Sequence, residues 1–95
     1  MMGDERLTAR IVGRVQGVGF RWWVRARAGN LRLTGWVMND DDERGVSVVA
    51  EGQPGDLDAL ERLLWQGPGA ARVDDVQSSR SPATGEFRRF QITRP

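Results

Sequence analysis

The chain contains no cysteine, no histidine, no tyrosine and no lysine in its 95 residues. Without a thiol or an imidazole, the chemistry of cysteine phosphatases, phosphohistidine enzymes and zinc sites is excluded. The missing lysine makes all 14 basic side chains arginine, set against 13 carboxylates for a net charge of +1. So weak an overall field gives a polyanion no reason to bind; nucleic acid is not expected as a partner, and any anion site must be local. Long apolar runs are lacking too. The opening MMGDERLTAR has no signal-peptide core, and nothing approaches the roughly 20 apolar residues of a membrane span, so a cytoplasmic protein free of the membrane is expected. With no cysteine for a disulfide dimer and no heptad pattern, a monomer is expected.

What is present suffices for one modest core, since 39% of the residues are hydrophobic and the length leaves no room for a second domain of usual size. One domain over residues 1–95 is expected, with 1–6 as a loose N-terminal tail. It starts with Met and ends just after the last expected strand, as a self-standing unit would. From Leu7 to Val15 apolar residues alternate: Leu7, Ala9, Ile11 and Val15 fall on one face, Thr8, Arg10 and Arg14 on the other. That period of two predicts a half-buried strand. The glycines of Gln16-Gly17-Val18-Gly19 end it in a tight loop. Phe20, Trp23, Val24, Ala28 and Leu31 then recur at helical spacing.

Gly35–Asn39 and Val46–Glu51 read as a hairpin joined by a polar connection, and Pro54 opens a second helix with Leu57, Leu60 and Leu64 on one face, stopped by Gly67-Pro68-Gly69. A strand over 72–79, a turn-rich stretch and a last strand over 87–93 complete the pattern. The order β-α-β-β-α-β predicts an α+β fold of the ferredoxin-like, split βαβ type: a mostly antiparallel sheet with two helices on one face. That topology serves many functions and decides none.

Two places carry chemistry. The turn at Gln16, Gly17, Val18, Gly19, Phe20 and Arg21 leaves a strand and enters a helix N-terminus, where unpaired N–H groups and the helix dipole favour a phosphate. Arg21, in the first helical turn, opposes the dipole unless an anion is bound, and its planar fork suits two phosphate oxygens. Asn39 ends the second strand, whose C-terminus shares a sheet edge with that of the first. Its amide can hold a water against an electrophile. Taken singly, the glycines also fit a plain strand-to-helix turn, and Asn39 an ordinary turn former.

The string GRVQGVGFR at 13–21, with GWV at 35–37 and Asn39 two positions on, resembles the two signatures of acylphosphatases. The likeness extends through Glu51-Gly52, the Leu-rich second helix, Thr84-Gly85-Glu86-Phe87, Phe90 and Ile92. The resemblance implies hydrolysis of the carboxyl–phosphate anhydride of small acyl phosphates to carboxylate and inorganic phosphate. Arg21 and the amides of residues 16–21 would hold the phosphate, which a free inorganic phosphate or other small anion could mimic. Asn39 would orient the water, whose proton the substrate's own phosphate would take. It implies no metal, no cofactor and no covalent phosphoenzyme. Competing readings are a non-catalytic module for a phosphorylated metabolite, or a nucleic-acid module. The second would need exposed aromatics on the third strand, and 46–51 has none.

Three features depart from the family pattern. Arg32 stands where a left-handed helix cap favours glycine, Met38 where a basic residue is common, and Asp40–Glu43 put four acids beside the expected anion site. The acids are expected to form a solvated hairpin tip, with Asp41→Asn and Asp42→Asn changing activity little. Trp23 and Trp36 are expected in the core. Trp22, off the apolar stripe, would border the acyl part of a substrate or cover the sheet edge.

Overall fold

The alternating first segment becomes an inner strand of a five-stranded sheet. The computed structural model describes residues 3–95; Met1 and Met2 of the expected tail lie outside them. β1 is Glu5–Arg14, α1 Phe20–Asn30, β2 Thr34–Asn39, β3 Gly45–Gly52, α2 Pro54–Gln66, β4 Arg72–Pro82 and β5 Phe90–Ile92. Glu5 and Arg6 are therefore strand residues and not tail, paired with Gly52 and Glu51 of β3.

The sheet order is β4-β1-β3-β2-β5. β1 pairs antiparallel with β3 and β4, and β2 antiparallel with β3. β3 is thus inserted between the parallel-running β1 and β2, and β1 between β3 and β4, which is the split βαβ arrangement expected. The chain then crosses to the opposite edge, where β5 adds to β2 in parallel. β5 is shorter than the 87–93 expected, because Phe87 lies under Arg6, 5.2 Å from the guanidinium carbon to the ring centre, instead of in the ladder.

Both helices cover one face. Leu7, Ala9 and Ile11 of β1, Val37 of β2 and Val46, Val48 and Ala50 of β3 meet Phe20, Val24 and Ala28 of α1 and Leu57, Leu60 and Leu64 of α2 in one buried cluster. Each large aliphatic side chain so enclosed contributes about 1.5–3 kcal/mol. Trp23 packs partly buried against this cluster, its ring 5.6 Å from that of Phe20. Trp36 is not in the core. The pleat turns Gly35 and Val37 toward the helices, so Trp36 stands half-buried on the outer face beside Thr8, Ser47 and Val49.

α1 ends in a Schellman turn: Leu33 N–H donates to Ala28 C=O and Arg32 N–H to Gly29 C=O, with Arg32 at a φ of 59°. The left-handed residue expected there is present, carried by a residue with a Cβ. No helix among the described residues is long and apolar enough to cross a membrane.

Candidate active site

Because β1 and β2 run the same way, the loop leaving β1 and the end of β2 meet at one edge of the sheet. Gly17 and Gly19 adopt φ values of 74° and 77°, a left-handed conformation that costs glycine nothing. They turn the chain so that α1 starts at Phe20, with no side-chain cap and no acidic residue in its first turn. The first bond into the helix is Trp23 N–H to Gly19 C=O; the backbone N–H groups of Gln16 through Arg21 donate to no described residue. A loop with so many free donors at the positive end of a helix is an anion cradle in electrostatic terms.

The side chains of this loop do different work. Phe20 is fully buried in the core and Val18 packs partly against it, so both offer the site only their backbone. Gln16 turns its amide to the hairpin: Nε2 donates to Asp40 C=O at 2.9 Å and to Gly45 C=O at 2.8 Å. This bolt ties the loop to the residue that follows Asn39. Arg21 is half-buried and forms no salt bridge among the described residues.

Asn39 closes β2 opposite Val46. Its Oδ1 is buried with no hydrogen-bond partner. An orphaned acceptor of this kind costs about 1–3 kcal/mol, and a donor such as water would relieve it.

The acidic connection is more ordered than a solvated tip. Asp41, Asp42 and Glu43 are exposed, but Asp40 is half-buried and accepts from Arg10 Nε at 3.0 Å and Ser47 Oγ at 2.6 Å. Arg10 also pairs with Asp42, whose carboxyl is held below its usual range by the Arg44 N–H and by that guanidinium. Two of the four acids are thereby neutralised from the outer face of the sheet. Arg10, Ser47 and the Gln16 amide went unrecognised in the sequence. Arg10 and Ser47 are cross-strand partners, which only the register reveals. Met38 faces the same Ser47 from its other side, across the β2–β3 ladder.

On the other side, Arg21, Trp22 and Arg25 of α1 and Arg89, Ile92 and Arg94 around β5 line a hollow of about 490 Å³. Trp22 is 63% exposed there and borders the hollow beside Gln91 and Ile92 of the edge strand β5. Arg25 lies 5.6 Å over its ring.

Comparison with known proteins agrees with this architecture. The Acylphosphatase family model matches residues 7–92. A protein named Acylphosphatase from Paenarthrobacter aurescens (strain TC1) is 47% identical over 93 residues, covering 96% of this chain and 98% of the relative. One of the same name from Thermobifida fusca (strain YX) is 50% identical over 90 residues, covering 95% and 98%. The crystal structure of acylphosphatase from Bacillus subtilis superimposes with a TM-score of 0.89 at 34% identity, over 94% of this chain and 98% of that one. Matched end to end in both sequence and fold, the chain belongs to the acylphosphatase family.

Proposed function

We propose that this chain hydrolyses small acyl phosphates, with the phosphate held by the N–H groups of residues 16–21 and by Arg21, and the attacking water oriented by Asn39. The water oxygen adds to phosphorus, the P–O bond to the carboxylate breaks, and the water's proton passes to a phosphate oxygen, leaving a carboxylate and inorganic phosphate. An acyl phosphate already carries a good leaving group, so positioning and charge stabilisation suffice without a protein base or nucleophile. The observation that carries this reading is the pairing of two unmet demands at one sheet edge: free N–H donors in the loop and the orphaned Oδ1 of Asn39. A phosphate and a water answer them together.

The test follows ultraviolet absorbance as benzoyl phosphate is consumed in the presence of a chelator. Wild type is expected to hydrolyse it rapidly, and Arg21→Gln and Asn39→Ala each to lose about two orders of magnitude in kcat/KM, the scale of losing a transition-state donor. Hydrolysis at the spontaneous rate by all three folded proteins would reject the reading in favour of a binding module. Residues 1–95 are proposed to act as one unit, monomeric and cytoplasmic. Sedimentation at a mass other than 10.6 kDa would refute the monomer.

A further inference from the structure

We propose that the hollow beside Arg21 is a second anion subsite, and that the enzyme prefers acyl phosphates whose acyl part carries a carboxylate or a second phosphate. The inference rests on the hydrolytic reading above.

The hollow gathers four guanidinium groups, Arg21, Arg25, Arg89 and Arg94, and no carboxylate lines it. The cleft that Gln16 lines is different: its Arg14, Arg44 and Arg72 are offset by Glu43 and Asp74. Nor is the imbalance forced by composition, since the chain has 13 carboxylates for its 14 arginines. The fold spends them elsewhere, placing Glu51 and Glu86 on Arg6, Asp40 and Asp42 on Arg10, and Glu5, Asp58 and Glu61 on Arg80. None of the four arginines of the hollow has a salt-bridge partner among the described residues. Like charges in one concavity repel, and a bound anion removes that repulsion.

A single phosphate does not account for the arrangement. In the reading above it lies against the 16–21 loop and engages Arg21, which leaves Arg25, Arg89 and Arg94 unanswered. A hollow of about 490 Å³ also exceeds a phosphate and falls within the range of small-molecule sites. Because Arg21 belongs to both the loop and the hollow, an acyl group leaving the cradle on this side would enter a space lined by the ring of Trp22 and the other guanidiniums. Trp22 supplies an apolar wall, and each planar guanidinium can bond a terminal carboxylate or phosphate through two N–H groups.

The experiment compares kcat/KM for three substrates of one shape: benzoyl phosphate, 4-carboxybenzoyl phosphate and 4-(trimethylammonio)benzoyl phosphate. They are tested on wild type and on the double variant Arg25→Gln/Arg94→Gln, with near-ultraviolet circular dichroism to establish folding. Wild type at low salt is expected to favour the carboxylated substrate over the neutral one by about tenfold, the lower end for a charge-assisted hydrogen bond at an exposed site. The cationic substrate should be disfavoured, and the double variant should bring both ratios near one. Raising the salt should compress the wild-type ratios in the same direction.

Equal use of the three substrates by wild type, or an undiminished preference in the folded double variant, overturns the subsite while leaving hydrolysis intact. Failure of wild type to turn over benzoyl phosphate at all overturns the hydrolytic reading first and the subsite with it. Inhibition by a single-stranded oligonucleotide that the double variant escapes, without any carboxylate preference, reassigns the patch to a polyanion and also overturns it.

Discussion

The two ends of the sheet treat their polar groups in opposite ways. At the end where β1 begins and β3 finishes, demands are met almost completely: the buried Glu51 accepts from Arg6 Nε at 2.7 Å and from Thr84 N–H, Thr84 Oγ1 and Gly85 N–H at 3.0 Å each. Arg80 there bridges Glu5, Asp58 and Glu61, with its Nε left over. At the other end the loop N–H groups, Asn39 Oδ1 and the Arg21 guanidinium find no partner among the described residues. The first end is finished by the protein alone; the second, in the function proposed above, is finished by what it binds. Unmet hydrogen-bonding capacity costs stability, so its concentration where the family motifs lie supports the proposal that this is the working end.

That contrast can be broken from either side. The largest effect is expected at the working end, where Asn39→Ala should lower kcat/KM about a hundredfold. Chemical denaturation should show it no less stable than wild type by more than about 1 kcal/mol, because the substitution removes an orphaned acceptor. A large loss of stability would mean that Asn39 is structural. At the finished end Glu51→Ala should do the reverse, costing roughly 3 kcal/mol through the abandoned Arg6 and N–H groups, with activity per folded molecule kept.

The same carboxylate gives the finished end a pH signature. Burial pushes Glu51 upward, but the bonds from Thr84 N–H, Arg6, Gly85 N–H and the Thr84 hydroxyl outweigh it and hold the carboxyl at about 2 against a usual 4.5. A depressed acid stabilises fully above its unfolded value and loses that contribution as pH falls. Unfolding free energy should therefore decline between about pH 4.5 and 2, and Glu51→Gln should flatten that slope. An unchanged slope would show that the clasp is not ionised.

Smaller effects sharpen the comparison. Arg10→Gln frees Asp40 and the hairpin, and should lower kcat about three- to tenfold by loosening Asn39, whereas Asp41→Asn should stay within about twofold. Equal effects would mean that the anchor positions nothing. Arg32→Gly should stabilise by roughly 0.5–1 kcal/mol, relieving the left-handed strain of a residue with a Cβ, as thermal melts would register.

The helices, the hairpin and both motifs were legible because they rest on local physics: a period of two or 3.6, glycines where the chain turns, a proline opening a helix. Trp36 misled because its β-rich surroundings say that it is in a strand and not which face it takes, and the pleat decided that. The acidic run misled because charge in a loop is ordinarily solvated, and nothing along the chain tells that Arg10, thirty residues earlier, arrives beneath it.

By itself, then, the sequence determined the order of elements, the absence of thiol and imidazole chemistry, and the loop and asparagine on which the family likeness rests. Tertiary structure alone decided which partners each charge found: that Gln16 bolts the loop to the hairpin, that β5 crosses to the far edge, and that four arginines converge without an acid. Periodicity is written in neighbours along the chain, whereas charge pairing and hydrogen-bond satisfaction depend on register and strand order, which bring distant residues within about 3 Å of one another.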